Sequence, residues 1–444
     1  MKRYLNTLVA IVVLAALWFG FNYYNTRKAK QSAASSEKPK ELVLPVKADQ
    51  VHSFTITPRD GQAFTCTLNG KTWAITQPSA LAADQNAVSD FVGSLVGTTV
   101  NSVVDQHPSN LKDFGLDPPA TTLNVATAGT PANFTLLIGD STPTNDAVYA
   151  QVAGNPRVIT LPGYGKSVLQ KTLFDLRDKR VLTLDADQIQ RLDVTSKGKT
   201  YALTKNPDGV WDLVLPPPVR ADNFSVQNLL SGLQNTAMVS IAKEDKAGAR
   251  EYGLDQPTVT VKFSTSSGSQ TIVVGKKDGN NYDATNSALS PVFTIGSDFV
   301  TRYQIDPATL RDKAFFSFSN FDAKTVDLTT PKDHRVFEQQ NFKWKQTVPK
   351  AKDETTEKME DLLNGLTDVK AASFPKATSG NLAPFGLDKP LYTIKVTFGE
   401  KSTTQTVIVG SVDDHYYAAR STDTLPGEIS KTSLDAIDKA LASL

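Results

Sequence analysis

Cysteine is almost missing from this 444-residue chain: Cys66 stands alone. That excludes an intramolecular disulfide and any multi-cysteine metal site, and it fits a cytosolic or a periplasmic location equally well. An excess of either charge is missing too, with 47 lysines and arginines against 46 aspartates and glutamates. No basic field of the kind that holds a phosphate backbone exists, so nucleic acid is not an expected partner. Histidine is scarce. His52, His107, His334 and His415 form no His-x-x-x-His or His-x-Glu arrangement that would bring two ligands together. There is no Gly-x-Ser-x-Gly elbow, no Ser-x-x-Lys set with its companion motifs, no Walker loop and no Gly-x-Gly-x-x-Gly fingerprint after a strand. Gly163-Tyr-Gly165-Lys-Ser167 ends like a phosphate loop but lacks the preceding glycine at the required spacing. No catalytic residue, metal or cofactor is expected.

Long apolar runs are absent with one exception. Leu5 to Tyr24 carries no charge, about 20 residues and enough to span a hydrocarbon layer of roughly 30 Å as a helix. Lys2 and Arg3 precede it, Trp18, Tyr23 and Tyr24 lie towards its far end, and Arg27, Lys28 and Lys30 follow. No small-x-small cleavage pattern closes the run, so residues 1–26 are expected to be an uncleaved anchor and not a signal peptide. Cys66 comes too late for a lipoprotein. Positive charges flank both ends, leaving sidedness open on charge alone. Residues 27–41 are small, polar and charged, and read as a flexible tether.

Past the tether, one phrase occurs three times: Phe114-Gly-Leu-Asp-Pro-Pro, Tyr252-Gly-Leu-Asp-Gln-Pro and Phe385-Gly-Leu-Asp-Lys-Pro. Trp73, Trp211 and Trp344 each precede the glycine of the phrase, Gly115, Gly253 and Gly386, by 42 residues. Such self-similarity marks tandem modules. Between the landmarks, Val88, Phe91, Val92 and Leu95 have helical spacing, as do Val226, Leu229, Leu230 and Leu233, then Met359, Leu362, Leu363 and Leu366. One face of that helix must pack inward.

Alternating runs such as Val51 to Thr57, Ile189 to Thr195 and Thr121 to Val125 read as strands. Phe134 to Ile138, Thr271 to Val274 and Thr406 to Val409 each run into a glycine, Gly139, Gly275 and Gly410, which suits a hairpin turn with positive φ. A tyrosine-bearing strand is expected around Tyr149, Tyr282 and Tyr417. Each module is expected to close with a helix, at Val168 to Lys179, at Leu310 to Lys313 and at Ala436 to Lys439. The fold class is therefore α+β. An N-terminal transmembrane helix leads into three tandem α+β modules (42–180, 181–313 and 314–444), each a mostly antiparallel sheet with one amphipathic helix and a closing helix. Boundaries near 180 and 313 leave almost no linker, which predicts a compact or stiff array.

An N-terminal anchor followed by a tryptophan, a helix, Phe-Gly-Leu-Asp-Pro-Pro, a Leu-Leu-Ile-Gly-Asp strand end and a closing Leu-Arg-Asp-Lys resembles the bacterial domain-of-unknown-function family 4340, over nearly the whole chain. That resemblance implies a cell-envelope protein of the inner membrane, with single-pass topology and soluble modules in the periplasm or otherwise outside the cytoplasm. Envelope or transporter proteins, ABC-type export systems among them, are the implied partners. It brings no catalytic residues.

Asp117, Asp255 and Asp388 share one context and could hold a cation or a sugar hydroxyl, but a helical turn ending in Gly at C′ with Leu packing back explains the phrase structurally. Asp178, Asp312 and Asp438, each before a lysine, read as solvated or capping charges. The tryptophans read as core, and as sugar platforms only if exposed. Asp413, Asp414 and His415 read as a turn. A non-enzymatic accessory or scaffold protein of a membrane complex is the first expectation. A glycan- or peptidoglycan-binding module is the second. A hydrolase using carboxylates such as Asp113 and Asp117 comes third and requires a cleft with paired acids.

Overall fold

The computed structural model describes residues 41–214, 218–375, 381–422 and 425–444. The anchor predicted at 1–26 and all but the last residue of the tether lie outside these residues. No helix among the described residues is long and apolar enough to cross a membrane. The chain divides into two compact units, one ending at Asp178 and one starting at Lys179.

Each copy builds one nine-stranded sheet in which every neighbouring pair is antiparallel. In the first copy the strands are β1 (Val51–Pro58), β2 (Phe64–Asn69), β3 (Thr72–Gln77), β4 (Leu81–Ala82), β5 (Ser102–Asp105), β6 (Thr121–Thr127), β7 (Asn133–Ser141), β8 (Ala147–Val152) and β9 (Val158–Pro162). Their order is β4-β3-β2-β1-β6-β7-β8-β9-β5, so two four-stranded meanders join through β1 and β6. The other copies repeat this order strand for strand. Sequence periodicity does not announce β4 and β5, because two- and four-residue strands are too short to show alternation.

Between β4 and β5 runs the predicted helix, α1 (Gln85–Gly97). It carries the chain from one edge of the sheet to the other. Its Val88, Phe91, Val92 and Leu95 are buried, as are the matching residues in copies two and three. Each such side chain contributes about 1.5–3 kcal/mol on burial. Asp84 caps α1 by accepting from the amides of Asn86 and Ala87 at 3.0 Å, and Asp222 and Thr355 do the same for the later copies. Such a cap is worth about 1 kcal/mol.

The three tryptophans belong to the cores. Trp211 and Trp344 are 1% and 2% exposed and Trp73 is 9% exposed. Trp73 packs on Phe54, which in turn meets Phe91 of α1. Cys66 lies beside them with no solvent exposure, and burial pushes its thiol up to about 12. We therefore expect Cys66 to resist maleimide in the native protein at pH 8 and to react once the first copy is unfolded in denaturant. Rapid native labelling would show that this core opens readily.

Two expectations need correction. Gly139, Gly275 and Gly410 do not make hairpin turns, since none has positive φ and each lies inside a long strand, Asn133–Ser141, Ser269–Asp278 or Thr403–Val412. They are glycines because the Gly-Leu-Asp phrase packs on top of them. A Cβ would stand 2.2 Å from the carbonyl oxygen of Phe114, 2.0 Å from that of Tyr252 and 2.3 Å from that of Gly386.

In copies one and two the closing helices also end earlier than predicted, whereas in copy three the predicted helix at Ala436 to Lys439 is present within Lys431–Ser443. In copy one they are Tyr164–Leu169 and Leu173–Leu176, interrupted at Gln170 to Thr172, and in copy two Ser297–Tyr303 and a 3-10 turn at Pro307–Leu310. Leu-Arg-Asp-Lys leaves the helix and runs extended. Arg177 bridges Ala83 and Arg311 bridges Ala221, so the phrase extends the edge next to β4 and its counterpart. Ala436 to Lys439 is not equivalent to it, because those residues sit inside a continuous helix, Lys431–Ser443.

The segment that starts each copy pairs with the opposite edge, just after the main helix. The bridges are Leu42 to Thr99, Arg180 to Ala237 and Ala314 to Lys370. Within the second unit, one extended segment therefore serves two sheets. Asp312 donates its amide to Arg220 of copy two, while Phe315 donates to Val369 and Ala371 donates to Lys313 in copy three. Copies two and three are joined with no slack between them.

Candidate functional site

Two kinds of concavity recur or stand out. The first is a cleft between the β1–β2 hairpin, or its counterpart, and the chain that follows the closing helix in copies one and two or the closing helix itself in copy three. In copy one it measures about 520 Å³ and is lined by Arg59, Gln62, Pro78, Gln170 and Lys171 among others. In copy two it shrinks to about 230 Å³, beside Lys197, Tyr201, Tyr303 and Gln304. In copy three it is about 440 Å³, walled by Tyr392, Tyr416 and Leu434 with Lys431, Asp435 and Asp438 at the rim.

The chemistry of that cleft differs between copies. The Nε2 atoms of Gln170 and Gln304, at the equivalent position, are buried and make no hydrogen bond. Copy three has Asp438 there, and it accepts from the Tyr392 hydroxyl. Burial and then the Asp438 carboxylate raise the Tyr392 phenol above its ordinary range. In copy two, Tyr201 donates to the Tyr303 carbonyl at 3.3 Å and Tyr303 to the Leu229 carbonyl at 2.6 Å. Those hydroxyls are engaged in holding the helices and do not line a shared polar site.

The second concavity lies between copies two and three, about 420 Å³, with Asp208, Asp212, Arg220, Gln405 and Arg420 in its wall. Asp312, expected to be a solvated or capping charge, pairs with two arginines of that wall and has a side chain 14% exposed. Its Oδ2 meets Arg420 Nη2 at 2.9 Å and Arg220 Nε at 3.2 Å. Arg420 also donates to the carbonyl of Phe315 at 3.0 Å and to that of Ala314. Arg220 reaches the Ser317 hydroxyl at 3.2 Å, and the Arg311 guanidinium lies 3.7 Å from the Phe374 ring centroid. Arginine suits this work because its fork donates in several directions while it stacks on an aromatic face.

The same position in copy two is Asn286, fully buried, which donates to the Val181 carbonyl at 2.6 Å and to Gln270 at 3.1 Å. A side chain on this strand thus grips the incoming segment in both copies, by amide in one and guanidinium in the other. No local sequence motif signals it; only the alignment of the repeats would have found it.

The remaining candidate residues fall apart spatially. Gly115, Gly253 and Gly386 are left-handed at φ 65°, 67° and 68°, and the following leucine amide returns to the Leu111, Ala249 or Leu382 carbonyl. The phrase is a helix-stop motif. Asp117, Asp255 and Asp388 point outward and are exposed, and Asp255 pairs with Arg250 at 3.4 Å. Asp113 accepts from Asn110 at 2.8 Å, and neither it nor Asp117 lines the cavities above. Asp413 and Asp414 make the tight turn before His415, with φ 49° and 62°. His415 pairs with Glu428 at 2.8 Å and holds that carboxyl below its usual range. His334 pairs with Asp327, and His52 and His107 are exposed. Gly163 to Ser167 starts a six-residue helix. Among the described residues no group of three or more His, Cys, Asp or Glu is placed to hold a metal.

Tyr149 and Tyr417 stack edge-on against Phe114 and Phe385. In copy two the corresponding place is Asp283, 3% exposed, whose carboxyl is raised by burial and lowered in part by Lys276. Lys276 in turn lies over the Tyr252 ring. The middle copy has replaced an aromatic contact with a charged one.

A family model described as Domain of unknown function (DUF4340) matches residues 73–213, 211–379 and 355–444. The chain belongs to this family. No curated protein and no solved structure matches it. The first DUF4340 match opens at Trp73 and the second at Trp211. Each of these starts on the tryptophan strand, inside a sheet, so the recognisable DUF4340 sequence unit is out of phase with the folded unit.

Proposed function

We propose that this protein is a non-enzymatic, membrane-anchored envelope scaffold, an accessory component of a membrane complex such as an ABC-type export system. The observation that carries this reading is the shared segment between copies two and three, locked by Asp312, Arg220 and Arg420. A stiff junction between repeated cores serves holding and spacing, whereas a hinge over a cleft would serve turnover. Two further features agree with it. The cores repeat from copy to copy while the cleft chemistry does not, and the tryptophans that a sugar platform would need are buried. The apolar run from Leu5 to Tyr24 supplies the anchor.

The test is crosslinking in intact cells, then mild-detergent purification of the tagged full-length chain and mass spectrometry of what stays bound. Transporter subunits recovered in stoichiometric amounts, and lost when one copy is deleted or residues 1–26 are exchanged for an unrelated anchor, support the scaffold. Recovery of no protein partner sinks it.

A glycan-binding reading keeps one foothold, the cleft of copy three, where Tyr392 and Tyr416 stand beside Asp435 and Asp438. Calorimetric titration of cell-wall glycan fragments into the protein decides that reading, with Tyr416→Ala expected to abolish any heat of binding.

A further inference from the structure

Copy three carries two phenylalanines that the fold does not use. Phe321 is 88% exposed and Phe342 is 85% exposed. Phe321 sits in the 3-10 turn Asn320–Asp322, just before the first strand of the copy, Ala323–Thr329. Phe342 is the second residue of the turn between the next two strands, His334–Gln340 and Lys343–Val348. Thr325 faces Glu338 and Gln340 faces Lys343 across those strands, so both rings leave the sheet at the same end.

The repeats supply an internal comparison. Where copy three has Phe321, copies one and two have Asp49 and Asp187, and where it has Phe342 they have Lys71 and Gly209. Asn341 and Phe342 adopt φ 53° and 60°, a turn that favours glycine at its second position. A bulky residue there is backbone strain with no packing return, and strain of that kind is a pointer to function.

We infer that this end of copy three is a membrane-contact tip, with Phe321 and Phe342 entering the interfacial layer of a phospholipid bilayer. It rests on the membrane-anchored reading above and adds a second point of contact. Area decides against a protein partner. Two aromatic side chains supply roughly 300–500 Å², below the roughly 800 Å² per side of a stable protein interface, and they are the only exposed large hydrophobics of this copy among the described residues. A bilayer accepts isolated convex rings because it deforms around them. Charge agrees: Lys324, Lys343, Lys345 and Lys401 are exposed on the same strands and turns, against exposed Asp322 and Glu400, which favours an anionic lipid surface.

The test uses the full-length chain in vesicles of phosphatidylcholine and phosphatidylglycerol. Phe342→Cys is labelled with an environment-sensitive fluorophore; the native Cys66 is fully buried and stays unlabelled. A blue-shifted emission, quenched by brominated acyl chains, is expected, and most of the shift is lost on adding Phe321→Asp. A label at Asp49→Cys reports the equivalent tip of copy one and is expected to stay in water. If both labels are equally hydrated, the inference is overturned. It is equally overturned if the shift at residue 342 occurs in native membranes but not in protein-free vesicles, because a protein then covers the tip. Neither result touches the partner-recovery experiment, so the scaffold reading can fail or stand separately.

Discussion

Replacing Asp312 with alanine should lower the stability of the joined copies two and three by about 3 kcal/mol. One carboxylate serves two guanidiniums at 2.9 and 3.2 Å, and Arg420 is only 9% exposed along its side chain. Removing the shared anion leaves two cations without their counter-charge, one of them, Arg420, desolvated. For fully buried pairs that costs about 3–5 kcal/mol; Arg220 is 31% exposed, so solvent screens part of it and the lower end applies. Native-state hydrogen exchange locates the effect. The amides of Asp312, Phe315 and Ala371, which bond the shared segment to both sheets, should lose protection well before the amides of either core. Asp312→Asn keeps an acceptor and should fall between. Unchanged exchange at all three amides would show that backbone pairing alone holds the junction.

Gly275→Ala should be as damaging at a position where the sequence shows only a small residue in a strand. The new Cβ would lie 2.0 Å from the Tyr252 carbonyl oxygen and 2.9 Å from the Gly253 carbon. Both are backbone atoms, held by the Leu254 to Ala249 hydrogen bond at 3.1 Å, so neither can swing aside as a flexible side chain would. Overpacking costs typically about 1–3 kcal/mol and more when backbone must move; we expect about 3 kcal/mol, read from the urea midpoint. Gly268→Ala is the control. It has no heavy atom within 4 Å and no positive φ, and should be neutral within roughly 0.5 kcal/mol. Equal effects at both positions would refute the close-approach explanation.

Repetition made much of this fold readable. The helix slot was visible because Val88, Phe91, Val92 and Leu95 recur at matching offsets, and Gly115 announced a helix stop because only a few residue types tolerate the left-handed region it occupies. Gly139 misled because a glycine at a strand end and a glycine beneath another chain look alike in sequence; only the position of the Phe114 carbonyl separates them. Leu-Arg-Asp-Lys misled for a related reason. Its residues suit a helix, but pairing of Arg177 with Ala83 draws the segment out straight, and tertiary contacts override local preference. The Asp312 junction was hidden because Arg220, Asp312 and Arg420 are far apart in the chain, with nothing local to mark their meeting.

Three broad antiparallel sheets in one chain would ordinarily carry an aggregation hazard, since an open sheet border offers unpaired amides and carbonyls to any neighbouring chain. Here the borders are too brief to serve as templates. Leu81–Ala82 is two residues long and Ser102–Asp105 four, with a register break before Asp105. The chain also spends its own connecting segments as selvedge, laying Leu42 along one border of the first sheet and Arg177 along the other. A protein crowded against its own kind can therefore display wide sheets and remain unzipped from its neighbours.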